Sequence, residues 1–202
     1  GARAGSEGRP AHSLSPEGLA KVSDYIRNEV ATGKIPGAIL LLQQHGKPVY
    51  YENFGVRDVA TEISMSADTI FRLYSMSKPI TSVMAMMLVE EGKLALDDPV
   101  SKYIPAFAGM KVGVEKKAED GKVGLALEPL EHPVTIKDLM RHTSGLPYGY
   151  YGGGAVRELY AEAKLFNRNL SNADFAAKIA TLPLVEQPGT VWDYGFSTDV
   201  LG

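Results

Sequence analysis

Cysteine is absent from the 202 residues of this chain, so disulfide bonds, thiolate nucleophiles and thiolate metal sites are excluded. Long apolar runs are missing as well, because segments such as 39–42 and 83–89 fall far short of the roughly 20 residues that a membrane-spanning helix needs. Positive charge is not in excess, since 21 Lys and Arg residues stand against 24 Asp and Glu residues. The net charge of −3 leaves no basic field to attract nucleic acid. We therefore expect neither a membrane nor nucleic acid as a partner, and covalent catalysis must use a nucleophile other than cysteine.

Histidine is scarce too, and the four residues at 12, 45, 132 and 142 show no pairing with a carboxylate one helical turn away. We therefore expect no metal site. The composition that remains, 45% hydrophobic and 22% charged, is that of an ordinary globular protein. The chain begins with Gly1 rather than with Met, so the compartment stays open between the cytoplasm, which we favour slightly, and the periplasm or secretion.

The segment 15–70 predicts one helix followed by a β-hairpin. Ser15 and Pro16 form an N-cap and a first helical position, and apolar residues then recur at helical spacing to predict a helix over 16–32. Two β-rich runs follow at 37–43 and 48–54, separated by turn-forming residues. Since a lone hairpin cannot protect its edges, we expect an antiparallel sheet with flanking helices, of which this chain supplies only a part.

The segment 71–202 predicts mainly helices. An apolar run at 80–88, with no glycine before Gly92, predicts a buried helix that begins near Ser75. Thr135 predicts the cap of a further helix over 136–142, and the one strand that we expect is a short one near 123–127.

The chain is therefore predicted to contain a flexible N-terminus, the N-terminal part of an α/β domain and a mainly helical domain. Their expected bounds are 1–14, 15–70 and 71–202. The fold class is α/β plus all-α.

Ser75 and Lys78 form the pattern S-x-x-K at the start of the predicted apolar helix. A spacing of three residues puts both side chains on one helix face, within hydrogen-bonding reach. A serine hydroxyl needs a neighbouring base to become a nucleophile, and a lysine serves as one only when its pKa is lowered. We expect burial and the positive end of the helix dipole to lower the pKa of Lys78.

Several longer runs resemble the class C β-lactamase and family VIII carboxylesterase superfamily of serine hydrolases. The matching runs cover 71–81, 88–94, 96–100, 135–146 and 188–202. The resemblance implies a β-lactamase/penicillin-binding-protein-like fold with Ser75 as the acylated nucleophile, Lys78 beside it and Tyr194 as the catalytic tyrosine. It also implies that the family fold continues after Gly202, so we expect a C-terminal remainder of the same protein as a partner that completes the sheet.

The sequence Tyr194-Gly195-Phe196 departs from the Y-[SA]-N of the β-lactamases in this superfamily. Phe196 replaces an amide that would bind the acylamino group of a β-lactam, which favours the esterase branch and makes Phe196 a candidate substrate contact. Tyr148, in a loop rich in aromatic residues, is a second candidate for substrate binding. His142 is left out of the catalytic set, because a histidine at a helix end is more often a hydrogen-bonded terminal residue.

The expected activity is cleavage of short-acyl carboxylic esters through an acyl-enzyme on Ser75, with no cofactor. The open alternatives are a β-lactamase, a DD-peptidase-like amidase or an acyltransferase that uses the same residues, and a non-catalytic binding protein of the penicillin-recognising type. The substrate is a small ester or β-lactam-like molecule, and a homo-oligomer stays open.

Overall fold

The computed structural model describes residues 14–202. The flexible N-terminus predicted for 1–14 lies, except for its last residue, outside the described residues. The chain divides into two units, Gly1–Arg72 and Leu73–Gly202.

The first unit contains one long helix, α1 (Pro16–Ala31), where the sequence predicts it. The Ser15 hydroxyl accepts a hydrogen bond from the Gly18 N–H at 3.0 Å, which satisfies one of the free amides at the helix start. On the buried side of α1, the Ser23 hydroxyl lies 2.5 Å from the Tyr50 hydroxyl and donates to Glu52 at 3.0 Å. These polar contacts fix the helix on the sheet that follows it.

That sheet has three antiparallel strands in the order β1-β2-β3. Strands β1 (Gly37–Gln44) and β2 (Lys47–Asp58) form the predicted hairpin, with Ala38 opposite Phe54. His45 and Gly46 both have positive φ, 52° and 75°, as the tight turn of a two-residue hairpin loop requires. The short strand β3 (Ile63–Ser64) pairs with the end of β2 and was not expected from the sequence.

The second unit begins with a short 3₁₀ helix (Tyr74–Met76) that leads into α2 (Ser77–Glu90). The prediction that this apolar helix is buried is wrong within residues 14–202, where Ala85 is its one buried residue. Ile80 and Met84 are 56% and 63% exposed. Apolar composition indicates that a helix needs covering but does not tell which elements cover it, and the other elements of the second unit leave most of α2 uncovered.

A second antiparallel hairpin, β4 (Lys111–Lys117) and β5 (Val123–Pro129), corrects the prediction of a single short strand in this half. The segment that forms β4 is rich in charged residues, a composition typical of loops, so the sequence did not predict a strand there. In the structure those charges face outward, and Lys116 pairs with Glu128 across the strands at 3.1 Å. Val112 is buried in the same strand, so the hairpin has one face in the core.

Two 3₁₀ helices (Val100–Lys102 and Pro105–Gly109) and four shorter α-helices complete the second unit: α3 (Ile136–Met140), α4 (Ala155–Glu162), α5 (Asn172–Ile179) and α6 (Ser197–Leu201). Thr135 caps α3 as predicted, and the Asp138 carboxylate accepts a hydrogen bond from the Thr135 backbone N–H to form a capping box. Leu139, Leu146 and Leu184 lie in the core and are almost fully buried. This core supports the loop after α3 and the segment before α6, which both lead to the candidate site. Within residues 14–202, no helix is long and apolar enough to cross a membrane.

Candidate active site

Ser75 lies on a sharp turn at the entrance to α2. The residue before it, Tyr74, has a φ of 47°, a left-handed conformation that costs energy for any residue other than glycine. Ser75 is exposed within the 3₁₀ helix that leads into α2, so its hydroxyl is open to a substrate. The first backbone N–H groups of α2 are close in sequence and lack partners inside the helix, which makes this region favourable for a developing oxyanion.

Lys78 connects Ser75 to the rest of the site. Its Nζ atom donates to the Ser75 Oγ at 3.4 Å and to the Tyr148 hydroxyl oxygen at 3.1 Å. The same Nζ lies 5.0 Å from the centroid of the Tyr194 ring. The expected contact between serine and lysine is therefore present, and two phenols flank the ammonium group.

The pKa of Lys78 is raised above its ordinary value, contrary to the expectation of a lowered one. Burial does push this pKa down, but hydrogen bonds to Tyr148 and Tyr194 and the negative charge of Asp199 push it up and outweigh the burial. At neutral pH Lys78 is therefore an ammonium ion that donates to Ser75. The phenols of Tyr148 and Tyr194 beside this ammonium ion are therefore candidates to share in accepting the serine proton.

Tyr194 reaches Lys78 because its segment pairs with the loop after α3. The Asp193 N–H donates to the His142 carbonyl at 2.9 Å, and the Phe196 N–H donates to the Leu146 carbonyl at 3.0 Å. Gly195 is necessary between them, since a Cβ atom there would lie 2.0 Å from the Leu146 carbonyl oxygen. The structure thus brings together Ser75, Lys78 and Tyr194, the three residues that the sequence predicts as catalytic, and their roles stay predictions.

The structure places the two candidate substrate contacts, Tyr148 and Phe196, deep in the molecule. Tyr148 is 4% exposed and points its hydroxyl at Lys78, and Phe196 is 2% exposed. Their rings meet edge to face with 4.7 Å between centroids, and Phe196 also packs against Phe166 at 5.0 Å. Phe196 is thus grouped with other aromatic rings, and a contact of either residue with substrate stays a prediction.

His142, which the sequence does not predict as catalytic, is a neighbour of the site. Its ring lies 4.7 Å from the Tyr194 ring, centroid to centroid. The expectation of a hydrogen-bonded histidine is wrong for its buried Nδ1 atom, which has no partner among the described residues. Burial, and then the charge of Lys78, lower the pKa of His142, so the ring beside Tyr194 is neutral at neutral pH. Nothing in the local sequence reveals this contact, because 50 or so residues separate the two rings along the chain.

Proton transfer and acyl transfer are the chemistry that this arrangement allows. It offers a serine hydroxyl and two phenols that each lie beside the Lys78 ammonium ion, next to the start of a helix. Among residues 14–202, no group of three or more His, Asp or Glu side chains could hold a metal ion.

Comparison with known proteins places these features in a family context. A family model described as Beta-lactamase matches residues 22–202. Protein Rv1367c of Mycobacterium tuberculosis is 37% identical over 88% of this chain and 42% of its own length. Esterase EstB of Burkholderia gladioli is 33% identical over 95% of this chain and 46% of its own length. Acyltransferase mokF of Monascus pilosus is 33% identical over 91% of this chain and 44% of its own length.

The fold is similar to that of a solved hydrolase as well. The structure of "EstCE1, a hydrolase with promiscuous acyltransferase activity" superimposes with a TM-score of 0.69 at 29% identity. The match covers 91% of this chain and 45% of that one. The chain therefore spans a little under half the length of these relatives.

Proposed function

The chain belongs to the beta-lactamase family, and from this premise we propose that the protein is a serine hydrolase that cleaves short-acyl carboxylic esters through an acyl-enzyme on Ser75. The observation that carries the proposal is the contact of Lys78 with Ser75 on one side and with phenol groups on the other. If Ser75 only capped the helix and Lys78 were only a surface residue, there would be no need for two buried or half-buried phenols beside the same ammonium group. The proposal concerns the whole protein, since the chain spans a little under half the length of its relatives.

In the proposed acylation, Lys78 and Tyr194 act as a pair that shares one proton, as ammonium and phenolate or as amine and phenol. The Ser75 oxygen attacks the ester carbonyl while its proton passes to this pair. The backbone N–H groups at the start of α2 stabilise the negative charge on the carbonyl oxygen. When the tetrahedral intermediate collapses, the pair returns the proton to the departing alkoxide, and the acyl group stays on Ser75.

Deacylation repeats these steps with water in place of the serine. The pair takes a proton from water, hydroxide attacks the acyl carbonyl, and the proton returns to the Ser75 oxygen as the carboxylic acid leaves. Because the pKa of His142 is lowered, its ring beside Tyr194 is neutral at neutral pH, and Lys78 is the group that shares the proton with Tyr194 in this scheme.

An ester is favoured over a β-lactam because Phe196 replaces the amide that binds the acylamino group in β-lactamases. The relatives named as an esterase and an acyltransferase support the same direction. A second candidate function is acyl transfer, in which an alcohol rather than water attacks the acyl-enzyme. It is favoured by the relative described as an acyltransferase and by the hydrolase with promiscuous acyltransferase activity.

Labelling with a fluorophosphonate, followed by intact-mass and peptide-mapping mass spectrometry, tests the nucleophile directly. We expect one adduct on Ser75 in the wild-type protein and none in Ser75→Ala. Ser77→Ala is the matched control, since Ser77 is a second exposed serine at the start of α2. An adduct that persists in Ser75→Ala would overturn the assignment. Supplying an alcohol during hydrolysis of p-nitrophenyl butyrate then separates the two candidate functions by whether a new ester forms.

A further inference from the structure

We propose that Arg157 is a positioning residue for this reaction, which holds the segments bearing Tyr148 and Tyr194 together so that both phenols face Lys78. The inference rests on the proposed function insofar as it concerns the rate at which Ser75 is acylated. Arg157 lies in α4, outside the S-x-x-K pattern and the segment that contains Tyr194.

The guanidinium group of Arg157, which projects from α4, bonds to both segments at once. One nitrogen donates to the Asp193 carboxylate at 2.5 Å, and another donates to the Tyr148 backbone carbonyl at 3.2 Å. Asp193 immediately precedes Tyr194 in the chain. A single planar group therefore bridges the backbone of Tyr148 and the side chain of Asp193, which is the residue next to Tyr194.

A second path from Arg157 also ends at Tyr194. The guanidinium carbon lies 5.3 Å from the centroid of the Tyr151 ring, in a cation–π contact. The Tyr151 hydroxyl donates a hydrogen bond to the Tyr194 backbone carbonyl. Two independent contacts thus restrain the backbone on which the Tyr194 phenol is carried.

The burial of this ion pair indicates a role in geometry rather than in stability alone. The side chains of Arg157 and Asp193 are only 13% and 10% exposed. Removing two charges from water costs about as much as their attraction returns, so an apolar pair of similar size would serve stability equally well. A guanidinium fork, unlike an apolar side chain or the point charge of lysine, also fixes the distance and direction between two acceptors.

The loop between Tyr148 and α4 is shaped to let the arginine come this close. A Cβ atom at Gly149 would lie 2.3 Å from the Ala161 backbone nitrogen, and one at Gly152 would lie 2.8 Å from the Arg157 Nε atom. Glycine at both positions therefore allows α4 to pack directly on the loop. The guanidinium group then reaches the Tyr148 carbonyl and the Asp193 carboxylate by direct hydrogen bonds.

The test compares Arg157→Lys and the double variant Arg157→Met/Asp193→Asn with the wild-type protein at its full natural length. The lysine variant keeps the charge but loses the fork, and the double variant removes both buried charges together, which spares the fold an unpaired ion. Arg168→Met, at an exposed arginine, is the matched control. We measure kcat and KM for p-nitrophenyl butyrate per folded protein, the pH profile of kcat/KM, thermal unfolding, and the pKa of Lys78 by NMR of its ε-carbon.

We expect kcat to fall roughly ten- to a hundredfold in both variants, with KM unchanged, because misplacing reacting groups by an ångström costs about that much. The pKa of Lys78 should fall, since withdrawal of the phenols leaves burial as the main influence on it. A double variant that unfolds like wild type, yet is slow and has this lowered pKa, would support the proposal.

Wild-type kcat and an unchanged Lys78 pKa in either folded variant would overturn the proposal. Failure of both variants to fold would also overturn it, in favour of a purely structural role. If the wild-type protein hydrolyses no ester and Ser75 is not labelled, the proposed function fails instead. The NMR measurement still decides whether Arg157 positions the phenols in that case.

Discussion

Replacing Tyr148 by phenylalanine removes the hydroxyl that accepts a hydrogen bond from Lys78 at 3.1 Å, while leaving the buried ring in place. That hydrogen bond favours the side-chain position in which Lys78 also contacts Ser75, over positions directed toward solvent. Hydrogen bonds to charged groups contribute about 1.5–3 kcal/mol, and the partial exposure of Lys78 places this one near the lower end. About 1.5 kcal/mol corresponds to a roughly tenfold fall in the productive population, and hence in kcat/KM.

Tyr194→Phe should cost more, because it removes a member of the proposed pair that carries the proton. General acid–base groups contribute roughly 10²- to 10⁴-fold to a rate. The assay is kcat/KM for p-nitrophenyl butyrate together with the second-order rate of fluorophosphonate labelling at Ser75. Tyr150→Phe is the control, since the Tyr150 ring stacks on Tyr148 at 5.1 Å but its side chain is exposed.

The predicted order of loss is therefore Tyr194→Phe, then Tyr148→Phe, then Tyr150→Phe with almost none. A larger loss in Tyr148→Phe than in Tyr194→Phe would refute the reasoning and make Tyr148 the proton carrier. Equal rates in all three variants would show that neither phenol takes part, although both raise the pKa of Lys78.

Three further expectations concern the surroundings of the site. Gly195→Ala should destabilise the protein by about 1–3 kcal/mol and slow the labelling of Ser75, because the new Cβ atom would lie 2.0 Å from the Leu146 carbonyl oxygen. An unchanged midpoint of urea unfolding would contradict this expectation. Tyr160→Phe should be neutral or stabilising in the same measurement, since the buried Tyr160 hydroxyl has no hydrogen-bond partner among the described residues. A clear loss of stability would contradict this and reveal a partner. Burial, and then Lys78, lower the pKa of His142, so the unfolded chain binds this proton more readily and stability should fall as pH drops below about 6.5. His142→Phe should weaken that pH dependence, measured by unfolding at a series of pH values, and an unchanged dependence would assign it to other groups.

Local features of the sequence were enough to predict the elements that bear the candidate nucleophile. The contact between Ser75 and Lys78 follows from a spacing of three residues at the start of a helix, and it is present in the structure. The cap of α3 by Thr135 and the hairpin of β1 and β2 were predicted for the same reason. Such features depend on hydrogen bonds and side-chain contacts between residues that are close along the chain, so the sequence contains all the partners in one window.

The tertiary structure alone decided which side chains surround Lys78 and what charge it carries. Tyr148 lies 70 residues from Lys78 in sequence, and no local pattern places its hydroxyl on the ammonium group. The direction of the Lys78 pKa was mispredicted because it is a balance between burial, which lowers it, and phenols contributed by two distant segments, which raise it. Strand β4 was missed for a related reason, since its charged residues look like a loop in the sequence, and the pairing with β5 and the ion pair of Lys116 with Glu128 exist only in the folded chain. The sequence determines which titratable and polar side chains the protein has. The packing of distant segments determines whether burial or hydrogen bonding has the larger effect on the pKa of each of them.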